Sequence, residues 1–179
     1  MRTTETAIPG LLIIELDVHG DNRGWFKENW QREKLTELTP ELASFQPVQN
    51  NISFNHAGAT RGLHAEPWDK LVSVAQGKIF GAWCDLREGS ESFGEVVTHE
   101  VGPETAVFVP RGVANGFQAL EETSYCYLVN EHWSAEARYS AVNLNIVDWP
   151  LEPTEISEKD KQHPCLLYTS DAADDLLCV

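Results

Sequence analysis

The stretch GATRGLHAEPWDKLVSVAQG, residues 58–77, governs how the rest of the chain is read. It ends in LVSVA (71–75), a short apolar run rich in β-branched residues and closed by a Gln76-Gly77 turn, which predicts a buried strand rather than a helix. Ahead of that strand the spacing is Gly58, five residues, His64, one residue, Glu66, three residues, Lys70, six residues, Gly77. His64 admits three readings: the remnant of a metal site, a packed core residue, or a catalytic base. A divalent metal needs several imidazoles or carboxylates converging on it, and a lysine ammonium in that set repels the ion. The metal reading is therefore the weakest of the three.

Outward from this stretch, further short strands are predicted over 78–86, 95–101, 105–109 and 123–129. Turn chemistry separates them at Glu88-Gly89-Ser90, Gly102-Pro103 and Pro110-Arg111-Gly112. Many short strands with regular turns predict a sandwich or barrel, not a βαβ fold. One helix is expected over 30–38, stopped by Pro40. The chain has 179 residues, 42% of them hydrophobic, which is enough for one domain with a core. A formal net charge of −15 argues against a nucleic-acid partner, because backbone neutralisation needs clustered Lys and Arg. It equally disfavours an anionic membrane surface. The apolar run Leu11–Ile14 is too short for a signal segment or a span, so a cytoplasmic protein is expected. The last stretch, CLLYTSDAADDLLCV (165–179), resembles the translation of a sequencing-library adapter and is expected to be a non-native tail. Without it, Cys84 and Cys126 are left, each in an apolar run and with no zinc spacing, and both read as reduced core thiols.

The spacing from Gly58 to Gly77 resembles the first cupin motif, with His64, Glu66 and Lys70 at the three middle places where metal ligands usually stand. The segment Pro110–Asn115 resembles the second cupin motif, with Asn115 in place of its metal-binding histidine. The resemblance implies an all-β fold, a cupin-type jelly-roll barrel with a few short peripheral helices, holding no metal and needing no cofactor. In such a pocket Lys70 takes over the charge of the metal and stabilises a developing oxyanion beside His64. That pair suits removal of a proton next to a ketone, since an imidazole ordinarily titrates near working pH.

The segments GDNRGWFKE (20–28), VQNNIS (48–53), TRGLH (60–64), KLVSVAQGKIFGAWCDLREGSESFG (70–94), VPRGVANGF (109–117) and SEKD (157–160) carry a more specific likeness. In that order and spacing, from about Gly20 to Pro164, the chain resembles the dTDP-4-dehydrorhamnose 3,5-epimerases and related dTDP-hexose epimerases of deoxysugar pathways. The resemblance implies one cupin-like epimerase domain over 1–164 and a nucleotide-linked 4-keto-6-deoxyhexose as substrate. It places the base on His64, its orienting carboxylate on Asp160, the opposing proton donor on Tyr127 and the enolate-stabilising ammonium on Lys70. Diphosphate, nucleotide and sugar contacts fall on Arg23, Phe26, Glu28, Gln49, Asn51, Arg61, Asn115, Trp133 and Lys159. Some of these are expected to reach across a homodimer interface. Independently of the likeness, inverting a carbon by proton exchange needs a base, an acid on the other face and an electrophile for the oxygen between them. His64, Tyr127 and Lys70 supply the three.

Three positions depart from the family pattern. Asn115 stands for a histidine, Trp133 for a tyrosine and Arg138 for a glutamate, all around the expected sugar pocket, and the segment 139–149 is short. They leave open single against double epimerisation, and two rivals: a nucleotide-sugar binding module without activity, and a 3,4-ketoisomerase of the same architecture. The plainer readings of the same residues are a satisfied structural His64, a core aromatic at Tyr127, a snorkelling Lys70, a surface pair of Arg23 and Glu28, and a helix cap over Ser157–Asp160.

Overall fold

The computed structural model describes residues 1–137 and 140–166. Its strands, in chain order, are β1 (Arg2–Glu5), β2 (Leu12–Glu15), β3 (Val18–Asp21), β4 (Gly24–Lys27), β5 (Gln49–Asn55), β6 (Thr60–Ala65), β7 (Lys70–Gln76), β8 (Ile79–Asp85), β9 (Val96–Val101), β10 (Thr105–Val109), β11 (Val113–Ala119), β12 (Thr123–Val129) and β13 (Ser140–Ala141). The helices are α1 (Arg32–Leu38) and α2 (Glu158–Lys161), with short 3-10 turns at Pro40–Ser44 and Leu144–Ile146. Two antiparallel sheets face each other, ordered β1-β2-β10-β7-β12-β5 and β13-β6-β11-β8-β9. This is the cupin-type jelly roll expected from the motif spacing.

Residues 71–74 are buried on both sides because both faces of the large sheet are covered. Val72 and Val74 point between the sheets, where they meet Ile79, Trp83, Val113 and Phe117 of the small sheet. Leu71 points outward and packs with Ile14, Leu35, Leu42 and Phe45 beneath α1 and its following turn. The outer face of the small sheet is closed in turn by Val142 and Val147 of the C-terminal segment, against Leu63, Ala82 and Cys84. Each such side chain contributes about 1.5–3 kcal/mol when fully buried. Cys84 and Cys126 are buried free thiols.

The five predicted strands coincide with β7, β8, β9, β10 and β12. Strand β11 is not among them, although all seven of its residues are buried. Its sequence VANGFQA carries Asn, Gly and Gln in place of a β-branched run, so composition hides it. The helix begins at Arg32 rather than residue 30, since Gln31 is its cap and accepts a hydrogen bond from the Lys34 amide at 2.7 Å. Among the described residues no helix is long and apolar enough to cross a membrane.

Candidate active site

His64 lies near the end of β6, directly opposite Asn115 on β11. The two strands come close because Gly62 has no side chain: at φ +122° an added Cβ would lie 2.5 Å from the Gly116 Cα. The glycine of Arg-Gly-Leu-His is thus required by the backbone, and it sets where the imidazole points.

The partner of His64 arrives from the far end of the chain. The segment before α2 docks along β6 through hydrogen bonds from the Thr60 amide to the Glu155 carbonyl and from the Thr154 amide to the Gly58 carbonyl, 2.9 and 3.2 Å. Ser157 caps α2, its Oγ accepting from the Asp160 amide at 3.1 Å. The helix has a single turn, so the cap fixes the buried Asp160 carboxylate almost by itself. Asp160 Oδ1 lies 2.8 Å from His64 Nε2, and Oδ2 accepts from the Gly62 amide at 3.3 Å. Burial alone would raise the Asp160 pKa, but the hydrogen bond and charge of His64, with the Gly62 amide and Ser157, outweigh it and hold the carboxyl below its ordinary value. Asp160 stays ionised and so orders the imidazole with Nε2–H as the donor.

The opposite wall comes from the large sheet. Lys70 opens β7 and is only 7% exposed. It is ion-paired to Glu66, and its Nζ sits 5.5 Å from the centroid of the Tyr127 ring on β12. Burial pulls the Lys70 ammonium down to about 7, while the adjoining Glu66 carboxylate works in the other direction by favouring the charged form. Burial raises the Tyr127 phenol, and the nearby Arg61 charge offsets this only in part, so the hydroxyl keeps its proton at neutral pH. His64, Asp160, Lys70 and Tyr127 line one cavity of about 730 Å³, together with Asn51, Arg61, Asn115 and Lys159.

Several predicted contacts sit differently. Asn115 lines the cavity, but its Oδ1 accepts from Trp83 Nε1 at 2.9 Å and its Nδ2 donates to the Tyr125 hydroxyl at 3.2 Å. Its amide is braced by the cavity wall, and its second Nδ2 hydrogen is the part of the group left to face a ligand. Gln49 lies outside the cavity lining; its amide donates to Asn51 Oδ1 at 2.8 Å and its Oε1 accepts from the Trp133 amide at 3.1 Å, so it positions Asn51. Trp133 is 64% exposed and lines no part of this cavity, because its segment runs off the end of β12 past the edge strand. Arg23, Phe26 and Glu28 belong to an outlying hairpin, β3–β4 and its exit, with Arg23 paired to Asp21 and Glu28 to Lys34. None of the three lines the cavity of its own chain. Arg138 lies outside the described residues.

Sequence reasoning passed over Glu66 as a site residue, although it stands inside the motif frame, and also Tyr125. The i, i+2 spacing of Tyr125 and Tyr127 on one strand was the available signal, and their rings lie 5.7 Å apart. Asn55, only 2% exposed, was also missed; its Oδ1 accepts from Arg61 Nε at 2.8 Å and steadies that guanidinium at the cavity.

An imidazole on one sheet, oriented by a buried carboxylate from α2, with a protonated phenol and an ammonium on the other sheet, suits proton exchange at a carbon acid. On a cupin scaffold that defines an isomerase acting beside a carbonyl. More particularly, the chain belongs to the dTDP-4-dehydrorhamnose 3,5-epimerase family, whose family model matches residues 5–167. It is 51% identical over 170 residues to the RmlC homolog of Streptococcus pyogenes, covering 89% of this chain and 86% of that one. Among solved structures it is similar to RmlC from Streptococcus suis in complex with dTDP-D-xylose, with TM-score 0.85, 47% identity and coverage of 93% and 91%. It is also similar to the Legionella pneumophila epimerase in complex with dTDP-4-keto-L-rhamnose, with TM-score 0.85, 31% identity and coverage of 96% and 95%.

Proposed function

We propose that this chain epimerises a dTDP-linked 4-keto-6-deoxyhexose at carbon 3, carbon 5 or both. The observation that carries the proposal is the 2.8 Å pair of His64 on the small sheet with Asp160 on α2, lining the same cavity as Tyr127 and Lys70 of the large sheet. With Nε2 engaged by Asp160, the His64 lone pair on Nδ1 takes the proton beside the ketone. The enolate oxygen gathers charge next to the Lys70 ammonium, and Tyr127 delivers a proton to the opposite face of the same carbon. Imidazolium and phenolate then return to their resting forms by exchange with solvent. Arg61 and Lys159 at the cavity supply cations for the diphosphate, against the acidic charge of the whole chain. Asn51 is a nucleotide contact in this reading.

Arg23, Phe26 and Glu28 fit the reading through a homodimer. Their hairpin projects from the body of the chain, and edge strand β5 exposes Ile52 at 68% and Phe54 at 56%, apolar surface suited to a second copy. A cytoplasmic setting, which keeps Cys84 and Cys126 reduced, completes it.

The decisive test is incubation of the protein with the 4-keto-6-deoxyglucose nucleotide in deuterium oxide, followed by NMR. Inversion with deuterium at carbon 3, carbon 5 or both is expected, from a species sedimenting as a dimer. A ketone moved to carbon 3 would replace the proposal with ketoisomerisation, and tight binding without label would reduce the chain to a binding module.

The burial of Lys70 gives a pH signature. Only the ammonium form assists, so kcat/KM should fall as pH rises through its pKa, which burial places about 7 and Glu66 pushes upward. Lys70→Arg keeps the charge throughout, since a guanidinium does not deprotonate in this range. The alkaline limb should leave the accessible range while the plateau drops about tenfold for imperfect geometry. An alkaline limb left in place by the substitution would remove Lys70 from the reaction.

A further inference from the structure

Two imidazoles approach Asp160, and the epimerase reading uses one. His163 follows α2, with its Nε2 3.8 Å from the same Oδ1 that His64 Nε2 approaches at 2.8 Å. The two rings meet edge to face, centroids 5.0 Å apart and planes at 80°. The His163 side chain is only 7% exposed, yet neither ring nitrogen has a hydrogen-bond partner among the described residues. The Gly62 main chain lies near enough to act on its charge but makes no hydrogen bond of normal geometry to it. Buried polar nitrogens are ordinarily satisfied, and this pair is not.

We propose that His64, Asp160 and His163 form an inhibitory site for a divalent transition metal of the zinc class. One nitrogen from each ring and one carboxylate oxygen lie within 4.8 Å of one another. Around a tetrahedral zinc with bonds of about 2.0–2.1 Å, neighbouring ligand atoms stand roughly 3.3 Å apart. The 2.8 and 3.8 Å spacings at Asp160 Oδ1 straddle that value, so small side-chain shifts admit the ion. Two imidazoles and a carboxylate are an ordinary zinc donor set that keeps a fourth position open. The site shares His64 with the cupin metal place but not the other positions of that place, which hold Glu66, Lys70 and Asn115 here; Asp160 and His163 lie outside both motifs.

The consequence follows from the tautomer. At rest the His64 proton sits on Nε2, toward Asp160, and Nδ1 is the basic atom. Zinc needs the Nε2 lone pair, so the proton moves to Nδ1 of the same ring with no net gain or loss. The imidazole then presents N–H to the substrate where it had presented a base. Substrate chemistry stops without the pocket being blocked.

This inhibition rests on the epimerase reading; the metal site does not, and the experiment separates them. Zinc and cobalt(II) are titrated into the dimeric protein and into His163→Gln, with binding read by calorimetry and by the cobalt absorption of a tetrahedral site. One equivalent should bind to the unmodified protein, at least tenfold more tightly than to the variant. X-ray absorption at the zinc edge of the unmodified protein should show two imidazoles in the coordination shell. Deuterium exchange should vanish as the site fills and return with a chelator. Equal affinity of both proteins, or a shell of oxygens alone, would overturn the site and mark the ion as held by surface carboxylates. Metal bound through both histidines with undiminished exchange would overturn the inhibition, and with it the role of His64 as base.

Discussion

His64→Asn is expected to fold and bind the sugar nucleotide while deuterium uptake into the sugar falls by about 10³-fold, within the range for losing a positioned general base. Asparagine keeps a polar head near Asp160 but offers no basic nitrogen, so both inversion and exchange must decline together. The fold should tolerate the change. His64 is partly exposed in the cavity wall, Leu63 and Ala65 beside it still close the outer face of the small sheet, and Gly62 still sets the approach of β6 to β11. The cost falls on Asp160, which is left in a buried place with the Gly62 amide and Ser157. A carboxylate that loses one buried partner loses about 1–3 kcal/mol, so a lower melting temperature with intact circular dichroism should accompany the inactive protein. Exchange at the unmodified rate would remove the base from His64 altogether.

The strands were legible where burial on both faces keeps a run largely apolar, as at Leu71–Val74, and where a turn residue marks the end, as at Gly77. Strand β11 was illegible because its side chains serve the cavity. Asn115 braces Trp83 and Tyr125, and Gly116 yields to Leu63, so the residues there answer to neighbours rather than to strand propensity. The same division runs through the site. His64 and Lys70 share one short segment and could be read together, whereas Asp160 was reached through the family likeness of SEKD (157–160), its cap pattern alone pointing only to a helix start. Glu66, Tyr125 and Asn55 depend on cross-sheet geometry that no linear spacing records. Trp133 shows the converse: an aromatic at a suggestive position whose exposed ring stands apart from the cavity.

Tyr127→Phe is expected to separate two events that the unmodified enzyme performs together. The phenyl ring keeps its place, since its contacts are with the Tyr125 ring and the Lys70 ammonium rather than through the hydroxyl. His64, Asp160 and Lys70 are untouched, so the proton beside the ketone still leaves and the enolate still forms. What disappears is the donor on the far face, a phenol kept protonated by burial. The enolate then recaptures its proton or deuteron from the His64 side, and the carbon returns to its starting configuration. Deuterium should therefore enter the unreacted sugar at a rate within about tenfold of normal, while formation of the inverted sugar falls by about 10²–10³-fold, the usual worth of one positioned acid. NMR of the residual substrate reads both quantities in a single sample. A variant that inverts at the normal rate would give the proton to some other group. One in which exchange and inversion fall in equal measure would make the hydroxyl a participant in enolate formation, and the two-faced mechanism would have to be redrawn around it.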